Sequence, residues 1–241
     1  MHALNGEELL IAWEGSRQQP EQETALCLLA LALPERSFGE LAAMPLGERN
    51  ALLLELRAGT LGRSMEGRAV CPECGMQLEF ELDARQLARG LREQIQANSG
   101  KLEGFAMRPV NTQDLLACAR AANEEDARSM LLERTVSLQE AEPGREQLQS
   151  LPAQELNAVI EQFDRLNEAA EIQVQLQCAG CAARPRLDLD IAHYLAREIT
   201  GAARRLMAEI HELASAYGWS EESIARMSGA RRAAYLEMLN A

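Results

Sequence analysis

Two Cys-x-x-Cys pairs, Cys71/Cys74 and Cys178/Cys181, stand far apart in this chain, and they constrain its fold more than any other feature. A two-residue spacer lets the backbone turn back in a tight knuckle. Both sulfurs of a pair then face one point and suit Zn²⁺ at about 2.3 Å. Each pair supplies half of a four-coordinate shell, and together they fill it, leaving no position for water. The spacing therefore predicts one structural zinc held by Cys71, Cys74, Cys178 and Cys181.

The text around each pair agrees. After the first knuckle, Met76, Leu78, Phe80 and Leu82 alternate with Gln77, Glu79 and Glu81, the period-two pattern of a half-buried strand. Gly75, directly after Cys74, permits the backbone angles such a turn often needs. Before the second knuckle Ile172, Val174 and Leu176 alternate with glutamines, and after it Leu187 and Leu189 alternate with charged residues. The two segments form a weak internal repeat. Counted from the second cysteine of each pair, Phe80, Leu82 and Asp83 in one copy match Leu187, Leu189 and Asp190 in the other. Helical text follows both times, containing Leu87, Ala88 and Arg89 in the first copy and Leu195, Ala196 and Arg197 in the second. Two strand–knuckle–strand hairpins, each with half a metal shell, are the parts of a zinc ribbon. The expected fold is a mainly α protein with a small β component, its ribbon assembled from distant halves with the intervening chain inserted between them.

Other uses of these cysteines fit the surrounding text less well. A thioredoxin-like redox pair sits between a strand and a helix start, which neither pair clearly does. Disulfides belong to oxidising compartments, and residues 1–14 have neither the basic start nor the continuous apolar run of a signal peptide. Cys27 and Cys118 lie in apolar helical text and read as small buried hydrophobes.

Composition limits the remaining classes. At 241 residues and 47% hydrophobic content the chain can build a real core, and with only 4% aromatics Leu and Ala must carry the packing, as in helical proteins. The longest apolar run, 25–33, is too short to span a bilayer, which needs about 20 residues, so a soluble, cytosolic protein is expected. A formal net charge of −13 opposes nucleic-acid binding, the commonest work of zinc ribbons, because an acidic chain repels phosphate. Arg184 and Arg186 beside the second knuckle keep a zinc-ribbon adaptor for nucleic acid or transcription machinery as an alternative, and a thiol-redox protein using Cys71 and Cys74 as a further one. No serine–histidine–acid set, phosphate-binding glycine pattern or isolated carboxylate pair stands out, so the expectation is a protein that is not an enzyme. His193 and His211 are too far apart on one helix to clasp a metal and read as surface or packing residues; Trp13 and Trp219 read as core or interface anchors.

Along the chain, helices are expected over 6–13 and 21–33 with a break at 15–20, then over 47–61 and 84–96. A break follows at 98–104, a short strand at 105–110, and helices after Thr112 and near Asn123. A loop is expected at 141–146 and a helix over 151–171. From 191 to 217 the residues Leu195, Ile199, Ala202, Leu206, Ile210, Leu213 and Tyr217 make one stripe of a long amphipathic helix ending at Gly218. Ser220 and Ser228 read as N-caps of two short helices. Arg231 and Arg232 in the last of these would have to face phosphate in a helix-turn-helix, but spacing and charge favour simple helical packing. Three regions follow: an N-terminal helical region (1–66), the two hairpins with their helical insertion (67–190), and the long helix with two short ones (191–241).

The C-terminal run from His211 to Leu239, with its Tyr217-Gly-Trp-Ser-Glu221 core and later Arg231-Arg232 and Tyr235-Leu236 pieces, resembles the end of baseplate hub assembly proteins of contractile-tailed phages and related injection systems. Trp13-Glu14, the Cys71-Pro-Glu-Cys-Gly75 knuckle and the knuckle at Cys178 are also similar, whereas 91–150 offers nothing diagnostic. The resemblance implies a non-enzymatic role in building or completing the baseplate, either as a departing chaperone or as a resident subunit. It also implies hub or spike proteins as partners, and a place in the bacterial cytoplasm during assembly or in the finished particle.

Overall fold

The computed structural model describes residues 1–17, 21–98, 102–138 and 151–239. The chain begins with four helices: α1 (Gly6–Ser16), α2 (Glu21–Ala32), α3 (Phe38–Ala43) and α4 (Leu46–Thr60). A hairpin of β1 (Ser64–Val70) and β2 (Gln77–Asp83) runs into α5 (Ala84–Ala97). The insertion holds β3 (Phe105–Met107), α6 (Thr112–Cys118), α7 (Glu124–Thr135), β4 (Val136–Leu138) and α8 (Ala153–Asn167), which ends in a 3₁₀ turn at Glu168–Ala170. A second hairpin of β5 (Gln173–Gln175) and β6 (Arg186–Asp188) leads to the long α9 (Ile191–Tyr217), then α10 (Glu221–Ala225) and α11 (Gly229–Leu239). The strands form three separate two-stranded antiparallel sheets, so the mainly α architecture with a small β component is as expected.

Local chemistry sets the ends. Asn5 with Glu8, Ser37 with Glu40 and Asn111 with Asp114 each form a capping box, the side chain accepting from the third residue's N–H while that residue's carboxylate accepts from the cap's own. Helix α1 runs through Gly15 to Ser16, so the expected break begins later than the glycine suggested. Residues 18–20 of that break and 99–101 of the one at 98–104 lie outside the described residues, as does the loop at 141–146. Helix α8 is shorter than 151–171, because Pro152 serves as its N-cap and the chain tightens into the 3₁₀ turn after Asn167. Gly218 ends α9 in the left-handed conformation (φ +68°).

The main core gathers Leu26 and Leu29 of α2, Leu53, Leu54 and Leu56 of α4, Met65 of β1, Ala84 and Ala88 of α5, and Ile191, Leu195 and Ile199 of α9. Each such Leu or Ile contributes about 1.5–3 kcal/mol by leaving water. Farther along α9, Leu206, Ile210 and Leu213 pack with Ile224 and Ala225 of α10 in a second cluster. The stripe differs from the sequence reading at two places: Ala203 rather than Ala202 is buried, and Tyr217 is 36% exposed. Helix α9 is thus one spine serving both clusters.

Two buried arginines tie α4 to its neighbours. Arg57 meets the Glu198 carboxylate through Nε and Nη2 at 2.8 and 2.7 Å, joining α4 to α9. Among the described residues Arg49 has only neutral acceptors in hydrogen-bond contact, Asn50, Gln22 and Thr112. Burial pulls its guanidinium down to about 10, with Asp190 opposing.

Candidate metal centre

The first hairpin pairs Met65 with Leu82, Gly67 with Phe80 and Ala69 with Leu78. The second pairs Gln173 with Asp188, Val174 with Leu187 and Gln175 with Arg186. At the tip of each, the same turn appears. Cys71 N–H donates to Met76 O and Gly75 N–H to Cys71 O, both at 2.9 Å. Cys178 N–H donates to Ala183 O and Ala182 N–H to Cys178 O, again both at 2.9 Å. Asp83 and Asp190 close the repeat in the same way, each accepting from two N–H groups as N-cap of the helix that follows. In this register Ala88 matches Leu195, both buried, so the two Leu-Ala-Arg pieces lie one residue out of step.

The hairpins bring the four sulfurs together, all within 4.8 Å of one another. Across the knuckles, Cys71 Sγ lies 3.7 Å from Cys181 Sγ and Cys74 Sγ lies 3.6 Å from Cys178 Sγ. A tetrahedron with bonds of about 2.3 Å has edges of about 3.8 Å, so these two contacts have the length of tetrahedron edges. They are far longer than a disulfide, at about 2.05 Å. Cys71 and Cys178 are buried and Cys74 and Cys181 exposed, with Leu78 and Leu176 forming an apolar cushion beneath. Met76 of the first knuckle lies over Gly180 of the second, so close that a Cβ there would sit 2.9 Å from its Sδ.

Backbone N–H groups point at the sulfurs. Cys181 and Gly180 N–H donate to Cys178 and, with the neighbouring thiols of Cys74 and Cys181, pull it down to about 7 against its desolvation. Met76 N–H acts the same way on Cys74, but the surrounding thiols of Cys178, Cys181 and Cys71, together with desolvation, outweigh it and push that group up to about 12. Ala183 N–H donates to Cys181. Four thiols so crowded cannot all ionise alone, whereas a divalent cation among them would draw off the protons. The donor set is soft, complete and provided with amide dipoles, which fits a closed tetrahedral ion.

The sequence of this chain matches the family of T4 bacteriophage base plate proteins over residues 5–184. The chain belongs to that base plate family. The match includes both cysteine pairs and Trp13-Glu14, and it ends before the C-terminal run that carries most of the resemblance to hub assembly proteins. No curated protein and no solved structure matches the chain significantly.

Residues outside the cluster fall into place around this base plate fold. His193 and His211 are exposed on α9, apart from the cysteines. Neither pair starts a helix: both stand in hairpin turns, unlike a thioredoxin-type pair. Cys27 and Cys118 are half-buried rather than buried, and Cys118 Sγ donates to Ala127 O at 3.4 Å. Arg184 and Arg186 are exposed beside the second knuckle. Arg232 meets Glu209 of α9 at 2.6 Å, a helix-packing contact. No described helix is long and apolar enough to cross a membrane. The N-cap roles of Asp83 and Asp190 were missed in the sequence, although their matched positions nine residues after each knuckle displayed them.

Proposed function

We propose that this chain is a non-enzymatic structural or assembly protein of the baseplate hub in a phage-type contractile tail, held in shape by one structural zinc on Cys71, Cys74, Cys178 and Cys181. The observation that carries the reading is the gathering of four thiols from two distant hairpins, within 4.8 Å, in a chain of the base plate family. Bound there, the metal would supply a cross-link between the hairpins and no reactive position. The chain's own contribution is to aim the amide groups of Met76, Gly180, Cys181 and Ala183 at the sulfurs and to exclude water with Leu78 and Leu176. Its partners in this reading are hub or spike proteins, met in the bacterial cytoplasm during assembly, with a chaperone-like role in completing the hub.

Elemental mass spectrometry of freshly purified protein is expected to give one zinc per chain. Co-expression with the hub and spike proteins of the same baseplate is expected to give a complex that survives gel filtration. Metal-free protein with rapidly alkylated thiols would remove the clamp. A chain that ignores both partners would remove the hub assignment.

A further inference from the structure

The four clustered cysteines fall into two pairs that cross between the knuckles. Cys71 Sγ lies 3.7 Å from Cys181 Sγ and Cys74 Sγ lies 3.6 Å from Cys178 Sγ, both with the geometry of thiol–thiol hydrogen bonds. Each pair joins the two hairpins, and its members stand 110 and 104 residues apart in the chain. Each pair also combines one buried and one exposed sulfur: Cys71 and Cys178 are buried, Cys181 and Cys74 exposed. An accessible thiol beside a sheltered one lets the first meet an oxidant and the second resolve the product.

The surroundings suit that division. Cys181 lines an open recess of about 460 Å³ together with Pro72, Glu73, Arg184 and Arg186. The two arginines bring guanidinium N–H donors to the recess, which suit the oxygens of a small peroxide as its O–O bond breaks. On the inner side Leu78 and Leu176 pack with Cys71 and Cys178. That packing, with Met76 seated over Gly180, holds the hairpin tips together before any bond joins them. An oxidised sulfur on one tip therefore meets its resolving thiol on the other.

We propose that these sulfurs are a peroxide-oxidation site that yields two cross-hairpin disulfides, Cys71–Cys181 and Cys74–Cys178. In each pair the exposed thiol attacks a peroxide oxygen, the O–O bond breaks, and one water leaves as the sulfur becomes a sulfenic acid. The buried thiol then attacks that sulfur, the S–O bond breaks, and its proton leaves in a second water. Each disulfide thus takes two electrons from two thiols and reduces one hydrogen peroxide to two waters. A metal ion held by the four sulfurs would be released as they pair.

Both bonds run between hairpins, so oxidation exchanges one clamp for another. Each closes a loop of more than a hundred residues, which constrains the unfolded chain strongly. Pairing within each knuckle would do the opposite and leave the hairpins unlinked. The chemistry rests on the cluster alone; its occasion rests on the function proposed above, because a tail released from the cell leaves the reducing cytoplasm.

The test treats full-length protein, as purified, with a small excess of hydrogen peroxide, then alkylates it in denaturant and digests it without reduction. A glutamate-specific protease cuts after Glu73 and parts Cys71 from Cys74, and fragmentation in the mass spectrometer parts Cys178 from Cys181. The expected links are Cys71 to Cys181 and Cys74 to Cys178, with Cys27 and Cys118 alkylated. In chelator, oxidised protein should keep hydrogen-exchange protection over 64–83 and 172–189 and melt higher than reduced protein. Cys181→Ser should lose the first link and keep the second. Links within each knuckle, sulfinic acids in place of disulfides, or hairpins that lose protection on oxidation would overturn the proposal. If the purified chain carries one zinc and links form within the knuckles, the oxidation site fails and the metal clamp stands. If it carries no zinc and the cross-hairpin links form, the oxidation site holds and the metal clamp is overturned.

Discussion

Gly75 and Ala182 occupy the same place in the two knuckles, each directly after the second cysteine with φ of +74° and +59°. Their N–H groups make the same bond to the first cysteine's carbonyl, so the turn demands the left-handed conformation in both copies. Glycine accepts it freely, whereas an L-residue there costs about 1–2 kcal/mol. Ala182 is exposed and contributes no packing. Ala182→Gly should therefore stabilise the second knuckle by about 0.5–1 kcal/mol after glycine's larger chain entropy is subtracted. Gly75→Ala should destabilise the first by about 1–2 kcal/mol. Thermal unfolding of metal-loaded protein reads both, and a destabilising Ala182→Gly would refute the equivalence.

Replacing Cys71 or Cys178 with Ser should loosen both hairpins together, because in the proposed zinc site each pair would hold only half of the shell. Hydrogen exchange is expected to rise in 64–83 and in 172–189 alike, with α4 and the first half of α9 protected by the main core. Faster exchange confined to the mutated hairpin would contradict a shared site.

The hairpins were legible because a strand of period two beside a knuckle has few other solutions, and α9 because its apolar residues recur over seven turns. In the insertion β3, α6, α7 and α8 were legible, but not the contacts that hold them together. Its anchor, Asp114, is fully buried between Arg108 and Arg134, and nothing in sequence distinguishes that carboxylate from the many others in this acidic chain. Helix α3 was missed although Ser37 and Glu40 carry its capping box, since six residues give no periodicity to read. Strand β4 pairs across more than two dozen residues with β3, with Met107 opposite Val136, and three-residue strands leave no pattern of their own. The four cysteines were readable as a set because thiolate spacing reflects metal chemistry directly, whereas Arg49 and Arg57 look like surface arginines until α4 is seen to be buried on nearly every side.

Asp114 makes a pH prediction. Burial acts to raise its pKa, but hydrogen bonds from Arg108, Asn111 N–H and Arg134 outweigh it, and the net shift is downward from 3.8. A lowered carboxylate stabilises the fold above its unfolded value and loses that contribution as pH falls through the folded one. Stability of the insertion should thus be flat near neutrality and decline below about pH 4. Asp114→Asn should cost about 3 kcal/mol at neutral pH by leaving two arginines without their anion, and should reduce the acid-side slope. An unchanged slope in chemical denaturation between pH 2 and 5 would show that another group governs it.

The C-terminal cluster gives the last test. Trp219 stacks on Tyr217 at 4.5 Å and meets Tyr235 edge-on at 4.8 Å; α11 has no fully buried residue and is otherwise held by Arg232 on Glu209 and by half-buried Leu236. Trp219→Ala removes the ring that links the α9 terminus to α11, at a cost of about 3 kcal/mol. Helix α11 should loosen, seen as faster hydrogen exchange over 229–239 and a weaker near-ultraviolet dichroism signal, while Arg232 and Leu236 still hold it to α9. Bound zinc should be unchanged, because the cysteine cluster rests on Leu78 and Leu176, and neither belongs to the second core cluster. Loss of zinc in this variant would mean that α9 transmits strain along its whole length, and that the two ends of the molecule are one cooperative unit rather than two clusters on a shared spine.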